Sequence, residues 1–152
     1  MLQLKFLERK YCMEVVINRC YGGFGLSPEG EKYFLKLKGN GCYFYKRDYT
    51  SKEPKYDRVD NVEKDLTFTL LVTSTADLGN TTRDIPQNFY FCSYLLERDD
   101  PDLVKTVREL GSERASSSLA KLKIVEIPDG ISYDIQDYDG IEWVAESHRT
   151  WN

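Results

Sequence analysis

The sequence has little of what most catalytic and metal sites require. It contains a single histidine, His148, and four cysteines, Cys12, Cys20, Cys42 and Cys92, which form no C-x-x-C pair. It also contains no H-E-x-x-H zinc motif and no G-x-S-x-G serine motif. The motifs therefore point to no nucleophile and no zinc or dithiol site, and we expect four free thiols, no metal and no cofactor.

The chain also lacks an excess of positive charge and a long apolar run. Its 21 Lys and Arg against 25 Asp and Glu give a net charge of -4, which argues against binding duplex DNA through the release of counterions. No apolar stretch approaches the roughly 20 residues that span a bilayer, and residues 1–11 contain no apolar centre of a secretion signal. We therefore expect a soluble, unexported protein that binds neither duplex DNA nor a membrane.

What the chain does have is aromatic side chains, with eleven Tyr, seven Phe and two Trp. Aromatic rings supply large buried faces and also flat platforms on which a nucleobase can stack. The length of 152 residues suits one domain of ordinary size. We expect a single domain over residues 1–152, with a charged loop or insertion at about 46–88.

The pattern of apolar residues and breakers predicts an α+β fold with an antiparallel sheet and two main helices. A buried strand is predicted at 12–18, and Ser27 followed by Pro28 predicts a helix that ends near Gly39. A second helix is predicted from Pro101 to Gly111, where the glycine suits a helix end. Further strands are predicted at 42–45, 66–72, 89–96, 119–127, 131–136 and 141–145.

The turn Pro128-Asp-Gly130 carries the main prediction about strand pairing. Its glycine can take a positive φ, so we expect strands 119–127 and 131–136 to form a hairpin across it. The stretch 141–145 is then a third strand of the same sheet. The Ser-rich stretch 112–118 is predicted to be a loop.

The most informative local feature is the glycine-rich turn Cys20-Tyr-Gly-Gly-Phe-Gly-Leu-Ser27 between the first strand and the first helix. Glycines let a ligand approach the backbone closely, and a helix N-terminus favours anions. The turn is not a dinucleotide fingerprint, because Pro28 stands where G-x-G-x-x-G needs its third glycine. Both a phosphate site and a plain tight turn remain open.

Two aromatic residues of this turn are ambiguous. Phe24 could pack the start of the helix onto the core or serve as a platform for a base. Tyr21 has the same two possibilities, and its hydroxyl could also reach a ribose or a phosphate. Asn18 and Arg19, which come just before the turn, belong to the same candidate site.

The chain ends with His148-Arg-Thr-Trp-Asn152, a composition that indicates a docked end. A docked Arg149 could bind a phosphate with two parallel hydrogen bonds, or it could pair with one of the nearby carboxylates. The acidic run before it resembles a calcium loop, but Ile135 occupies the position of the first ligand. We therefore assign to Asp134 hydrogen bonds from ribose hydroxyls or an exocyclic amine.

Three stretches resemble one family of small bacteriophage proteins. They are Val15-Val-Ile-Asn-Arg-Cys-Tyr-Gly-Gly-Phe-Gly-Leu-Ser27, Asp99-Asp-Pro-Asp-Leu-Val104, and the tail from Lys123 through Tyr138-Asp-Gly-Ile-Glu-Trp-Val-Ala-Glu-Ser-His-Arg-Thr-Trp151. The family is the first-described group of Thoeris anti-defence sponges. The likeness covers about 14–38 and 99–151 and leaves out the charged middle.

The resemblance implies capture without turnover. Such proteins bind cyclic ADP-ribose isomers made by host TIR-domain enzymes and hold them intact in the host cytoplasm, and some also hold cyclic di- or trinucleotides at a separate site. It further implies a homo-oligomer built from dimers, of which a hexamer is one form, with the signal enclosed near a subunit interface. On this basis the protein is not an enzyme. The alternatives are a phosphodiesterase or hydrolase of the same nucleotides, and a structural or host-protein-binding phage protein.

The motifs and the resemblance together give the candidate ligand site. We expect Arg149 and the N–H groups of Gly22 to Gly25 to bind the phosphates, Phe24 or Tyr21 to stack on adenine, and Asp134 with Thr150 to bind hydroxyls or the base edge. The full candidate set is Asn18, Arg19, Tyr21, Gly22, Gly23, Phe24, Gly25, Ser27, Asp134, His148, Arg149 and Thr150.

Overall fold

The computed structural model describes residues 12–62, 71–148 and 151. The fold is α+β with antiparallel sheets and two main helices, as predicted. The helices are α1 (Pro28–Leu37) and α2 (Pro101–Ala115), and a short 3-10 helix covers Ser93–Leu95. The strands are β1 (Cys12–Asn18), β2 (Tyr43–Arg47), β3 (Tyr56–Val59), β4 (Leu71–Ser74), β5 (Thr81–Thr82), β6 (Tyr90–Phe91), β7 (Leu122–Pro128), β8 (Tyr133–Tyr138) and β9 (Ile141–Glu146).

The strands form three sheets in the described residues rather than one. β1 pairs with β7, β8 pairs with β9, and the remaining five strands form a sheet of order β5-β3-β2-β4-β6. Every pairing is antiparallel. β9 also contacts β1, so the β8–β9 hairpin lies beside the β1–β7 pair.

The predicted hairpin across Pro128-Asp-Gly130 is wrong. β7 pairs with β1, in a register that runs from Cys12 opposite Pro128 to Asn18 opposite Leu122. The hairpin forms instead at Asp139-Gly140, where β8 pairs with β9. Both turn residues there have positive φ, 51° and 93°, which is the backbone that a two-residue hairpin loop requires. The connection between β7 and β8 is longer than two residues, so it does not require these two strands to pair.

The charged middle of the chain is not one continuous loop. β3 lies within it and pairs with β2 and β5. The strand predicted at 66–72 lies mostly outside the described residues, and the described part of the chain there begins with β4 at Leu71. The strand predicted at 89–96 is short, because Tyr90–Phe91 is followed by the 3-10 helix.

Both helices begin where predicted, at Pro28 and Pro101. The Ser27 Oγ accepts a hydrogen bond from the Gly30 N–H at 2.9 Å, and the Asp100 Oδ1 accepts one from the Asp102 N–H at 2.8 Å. Gly111 breaks α2 with φ 80° and ψ 161°, but the chain then makes one further helical turn to Ala115. The predicted loop at 112–118 is therefore wrong for 112–115.

The core lies where α1 and α2 pack together against the β1–β7 pair. Its buried apolar members are Val16, Leu26, Phe34, Leu35, Leu103, Val104, Val107, Ala115 and Leu122. The Phe34 ring stacks on Phe91 at 5.8 Å and so connects this core to the five-stranded sheet. The glycine-rich turn therefore joins two elements that the core holds in place. No helix in the described ranges is long and apolar enough to cross a membrane.

Candidate functional site

The glycine-rich turn is closely packed on two sides. Gly22 and Gly23 have φ of 128° and 104°, and a Cβ at Gly22 would lie 2.8 Å from the Leu119 carbonyl oxygen. On the other side, a Cβ at Gly140 would lie 2.6 Å from the Gly23 nitrogen. Such distances are well inside van der Waals contact, so the turn, the Leu119 loop and the tip of the β8–β9 hairpin fit together only without side chains at these positions.

Asn18 holds this packing together. Its side chain is fully buried, and its Nδ2 donates to the carbonyl oxygens of Cys20 and Gly140, each at 2.8 Å. Its Oδ1 accepts a hydrogen bond from the Lys121 N–H at 2.8 Å. The Asn18 amide thus connects the turn to the hairpin tip and to the segment before β7. Asn18 was predicted to bind ligand, but its side chain stabilises the fold.

Behind the turn lies an ion pair that the sequence analysis did not identify. The Arg98 Nη1 and Nη2 donate to the two carboxylate oxygens of Glu142 at 2.7 and 2.9 Å, and both side chains are largely buried. The Glu142 Oε1 also accepts the Asn18 backbone N–H at 2.6 Å. Arg98 and Glu142 are 44 residues apart, and no local motif relates an arginine before a helix to a glutamate inside a strand.

The same arginine decides between the two possibilities for Phe24. The Arg98 guanidinium carbon lies 3.5 Å from the centre of the Phe24 ring, and the ring packs against the edge of the core. One face of the ring is therefore covered by a cation. Phe24 fixes the turn to the core, whereas Tyr21, with 61% of its surface exposed, is free to serve as a platform.

Two further candidates of this segment also make contacts within the fold. The Ser27 hydroxyl donates to the Arg114 carbonyl oxygen in addition to capping α1. The Arg19 Nη1 donates to the Glu142 carbonyl oxygen at 2.7 Å, and Arg19 is otherwise an exposed residue. Ser27 is buried and acts as a helix cap, while Arg19 lies at the surface beside the turn.

The candidates near the C-terminus lie at the other end of the β8–β9 hairpin. Asp134 pairs with Ala145, four residues along β8 from Tyr138 at the hairpin tip, a separation of about 13 Å. Its Oδ2 accepts a hydrogen bond from the Ser147 hydroxyl at 2.9 Å, and His148 is exposed just beyond. Since the tip contacts Gly22 and Gly23, one chain does not bring Asp134 and His148 to the turn. Arg149 and Thr150 lie outside the described residues.

A cavity of about 230 Å³ opens between the end of the turn, the start of α1 and the five-stranded sheet. Its lining combines apolar side chains with hydroxyl groups and one carboxyl group. The lining residues are Gly25, Leu26, Pro28, Glu31, Phe44, Leu71, Thr73, Ser93, Ser117, Ser118 and Leu119. Of the predicted site residues, Gly25 alone is among them.

Glu31 supplies the carboxyl group in this cavity. The Thr73 Oγ1 donates to its Oε2 at 2.5 Å, and the Ser93 hydroxyl is a second hydrogen-bond partner. Burial raises the pKa of Glu31 to about 7, although both hydrogen bonds act in the opposite direction. Burial also raises the pKa of the nearby Cys42 thiol to about 12, so this thiol stays protonated at neutral pH. A carboxyl with such a pKa in a cavity is typical of binding and catalytic sites.

A second and larger cavity, about 610 Å³, adjoins the first along α1 and shares Pro28 and Phe44 with it. Lys32 and Lys36 line it together with Glu29 and Asp60, so its charges are mixed. Its arginine, Arg58, is already engaged by Asp77 at 2.8 Å. We therefore centre the candidate site on the smaller cavity, which adjoins the glycine-rich turn and contains the perturbed carboxyl.

In the described part of the chain, no cluster of three or more His, Cys, Asp or Glu side chains could hold a metal ion. In comparisons with known proteins, no family model, no curated protein and no solved structure matches the chain.

Proposed function

We propose that the protein is a phage anti-defence sponge that binds a cyclic ADP-ribose isomer made by host TIR-domain enzymes and holds it without cleaving it, in the host cytoplasm. The observation that supports this most is the cavity at the end of the glycine-rich turn, which combines hydroxyl groups, one carboxyl and apolar side chains. That composition suits a nucleoside, and the turn beside it offers backbone N–H groups to a diphosphate.

The size of the cavity favours a site shared between subunits. At about 230 Å³ it is smaller than the ~300–1,000 Å³ of pockets that enclose a whole drug-sized ligand. Nanomolar capture needs roughly -12 kcal/mol, whereas one stacked base contributes about 1–3 kcal/mol and each charge-assisted contact about 1.5–3 kcal/mol. In a homo-oligomer built from dimers, a second subunit encloses the part of the ligand that lies outside the cavity of the first.

The placement of the C-terminal candidates fits the same proposal. Asp134 and His148 lie too far along the hairpin to reach the turn of their own chain. In the proposed assembly, the C-terminal segment of a second copy, with Arg149 and Thr150, covers the ligand over Tyr21 and the glycine-rich turn. A hexamer and a separate site for cyclic di- or trinucleotides belong to the same proposal.

One observation favours a second candidate function, a hydrolase of the same nucleotides. Glu31 lies in the cavity with a pKa raised to about 7, which is the value that suits a general acid or base near neutral pH. Its partners are hydroxyl groups rather than a second titratable group, so no acid and base pair has been identified. We rank this function below capture for that reason.

A thermal-shift screen of cyclic ADP-ribose isomers and cyclic oligonucleotides tests the proposal. A ligand that binds only the folded state raises the melting temperature by mass action. Any stabilising nucleotide is then incubated in excess with the protein, the protein is denatured by heat, and the supernatant is chromatographed. Intact nucleotide supports capture, product supports the hydrolase, and a screen with no stabilising nucleotide favours a structural or host-protein-binding role.

A further inference from the structure

The smaller cavity contains one carboxylate among hydroxyl groups. This arrangement determines which part of a nucleotide can bind in it. The Glu31 carboxylate accepts from Thr73 and Ser93, and in the described part of the chain it forms no ion pair with a lysine or arginine. A half-buried carboxylate without a cation partner repels phosphate, because the interaction is screened less than at the protein surface. The same carboxylate is a good acceptor for two neighbouring hydroxyl donors.

From this we infer that Glu31 is the specificity-determining residue of the cavity, where it accepts hydrogen bonds from the 2′ and 3′ hydroxyls of one ribose while the diphosphate lies outside. The inference rests on the proposed function and deepens it. It fixes the orientation of the ligand, since the ribose occupies the cavity and the phosphates lie outside it, beside the glycine-rich turn.

Apolar side chains in the cavity complete this assignment. Leu26, Phe44, Leu71 and Leu119 line it together with the hydroxyl groups, and Phe44 is paired with Thr73 across β2 and β4. A ribose with its attached base has polar hydroxyls and a flat apolar face, so it suits a cavity lined by both kinds of group. The cavity of about 230 Å³ admits one such nucleoside rather than both halves of the signal.

The ionisation state of Glu31 gives the inference a pH signature. The charge of Glu31 acts on the Cys42 thiol and the Tyr90 hydroxyl, and burial raises the pKa of both groups, so both are neutral between pH 6 and pH 8. Lys32, the next residue along α1, is the nearest cation in sequence and is exposed. Of these groups, Glu31 is therefore the one that changes charge near pH 7. Since ribose hydroxyls donate to the ionised carboxylate, binding weakens about tenfold between pH 8 and pH 6.

Calorimetric titration of the full chain with adenosine, 2′-deoxyadenosine and 3′-deoxyadenosine at pH 6, 7 and 8 tests the inference. We expect adenosine to bind, each deoxy analogue to bind at least tenfold more weakly, and the affinity for adenosine to rise with pH. In Glu31→Gln, the affinity for adenosine should fall at least tenfold at pH 8, and its pH dependence should vanish. Glu109→Gln, the same change on the exposed face of α2, should behave as the unsubstituted protein.

The outcomes separate this inference from the proposed function. If a cyclic ADP-ribose isomer binds equally well to Glu31→Gln at every pH, the inference is overturned while the sponge function stands. If adenosine binds in the Glu31-dependent manner but no cyclic nucleotide binds, the inference stands and the sponge function fails. Equal affinity for adenosine and its deoxy analogues, no binding of adenosine, or tighter binding at pH 6 would each overturn the inference without relying on a variant.

Discussion

The Arg98 guanidinium pairs with both carboxylate oxygens of Glu142 at 2.7 and 2.9 Å, and its central carbon lies over the ring of Phe24. This one side chain therefore connects the glycine-rich turn, the segment before α2, and β9. Because the pair is largely buried and well aligned, it holds the turn in one conformation before any ligand arrives. Preorganisation of this kind lowers the entropic cost of binding.

Removing the arginine should destabilise the protein strongly. Arg98→Ala leaves the buried Glu142 carboxylate without its cation, and such a change costs about 3–5 kcal/mol in the free energy of unfolding. Urea denaturation followed by circular dichroism measures the loss. The matched control is Arg114→Ala, which removes an exposed pair with Glu29 and should cost about 1 kcal/mol or less. Equal losses in the two variants would contradict this account.

The close approach of the hairpin tip to the turn predicts a difference between two glycines. Both Gly130 and Gly140 have positive φ, but a Cβ at Gly130 meets nothing within 4 Å, whereas one at Gly140 meets the Gly22 and Gly23 nitrogens at 2.7 and 2.6 Å. Gly130→Ala should cost only the backbone strain of about 1–2 kcal/mol. Gly140→Ala should cost about 1–3 kcal/mol more through overpacking. Paired denaturation curves test this, and similar midpoints would disprove the contact.

Substitution of one aromatic residue of the turn should lower stability, and substitution of the other should weaken ligand binding. Phe24→Ala removes a ring that packs on the core and under Arg98, so it should lower the free energy of unfolding by about 3 kcal/mol. Tyr21→Ala should change stability by less than about 0.5 kcal/mol. It should, however, weaken a stacked nucleotide about fivefold or more. Melting curves with and without the bound nucleotide distinguish the two effects, and unchanged binding in Tyr21→Ala would exclude this tyrosine as the platform.

Glu31 should make stability depend on pH in a definite direction. Its pKa is about 7 in the folded chain against 4.5 ordinarily, so between these values the unfolded state loses its proton first. Stability therefore falls as pH rises from about 4.5 to 7, by at most roughly 3 kcal/mol from this group. Glu31→Gln should remove that contribution and be the more stable form at pH 8. The measurement is the free energy of unfolding of Glu31→Gln and of Glu109→Gln as a function of pH. If the two curves run parallel, the raised pKa of Glu31 is refuted.

Arg149 tests the phosphate contact that we propose for the C-terminal segment. Arg149→Ala should reduce the affinity for a cyclic ADP-ribose isomer at least tenfold, because it removes a charge-assisted and bidentate contact. The oligomer measured by native mass spectrometry should be unchanged. Arg83→Ala, which removes the same charge from an exposed loop, should leave the affinity as it was. Unchanged binding in Arg149→Ala would remove this residue from the site.

Local signals in the sequence were sufficient for some elements. The Ser27 cap, the proline at the start of each helix, the glycine near the end of α1 and the glycine at the break in α2 were each predicted from a few neighbouring residues. Such features depend on one residue's side chain and its nearest backbone N–H groups, so the tertiary environment has little power to change them. The glycine-rich turn was found in the same way.

The sequence did not show which of two similar turns forms a hairpin. Asp129-Gly130 and Asp139-Gly140 are both turn sequences, and only the second forms a hairpin. Asp129-Gly130 instead follows the end of β7, and β7 pairs with β1, which lies more than a hundred residues earlier in the chain. Pairing over such a distance depends on the burial of both strands against α2, for which local sequence carries no signal.

The sequence by itself determined the α+β class, the start of each helix and the glycine-rich turn, because each depends on contacts between near neighbours. Only the tertiary structure decided that Phe24 is covered by Arg98, that Asn18 is a buried anchor, and that Glu31 lies with Thr73 and Ser93 in one cavity. These relationships join residues far apart in the chain, and they arise from the packing of whole elements rather than from the preference of any one residue.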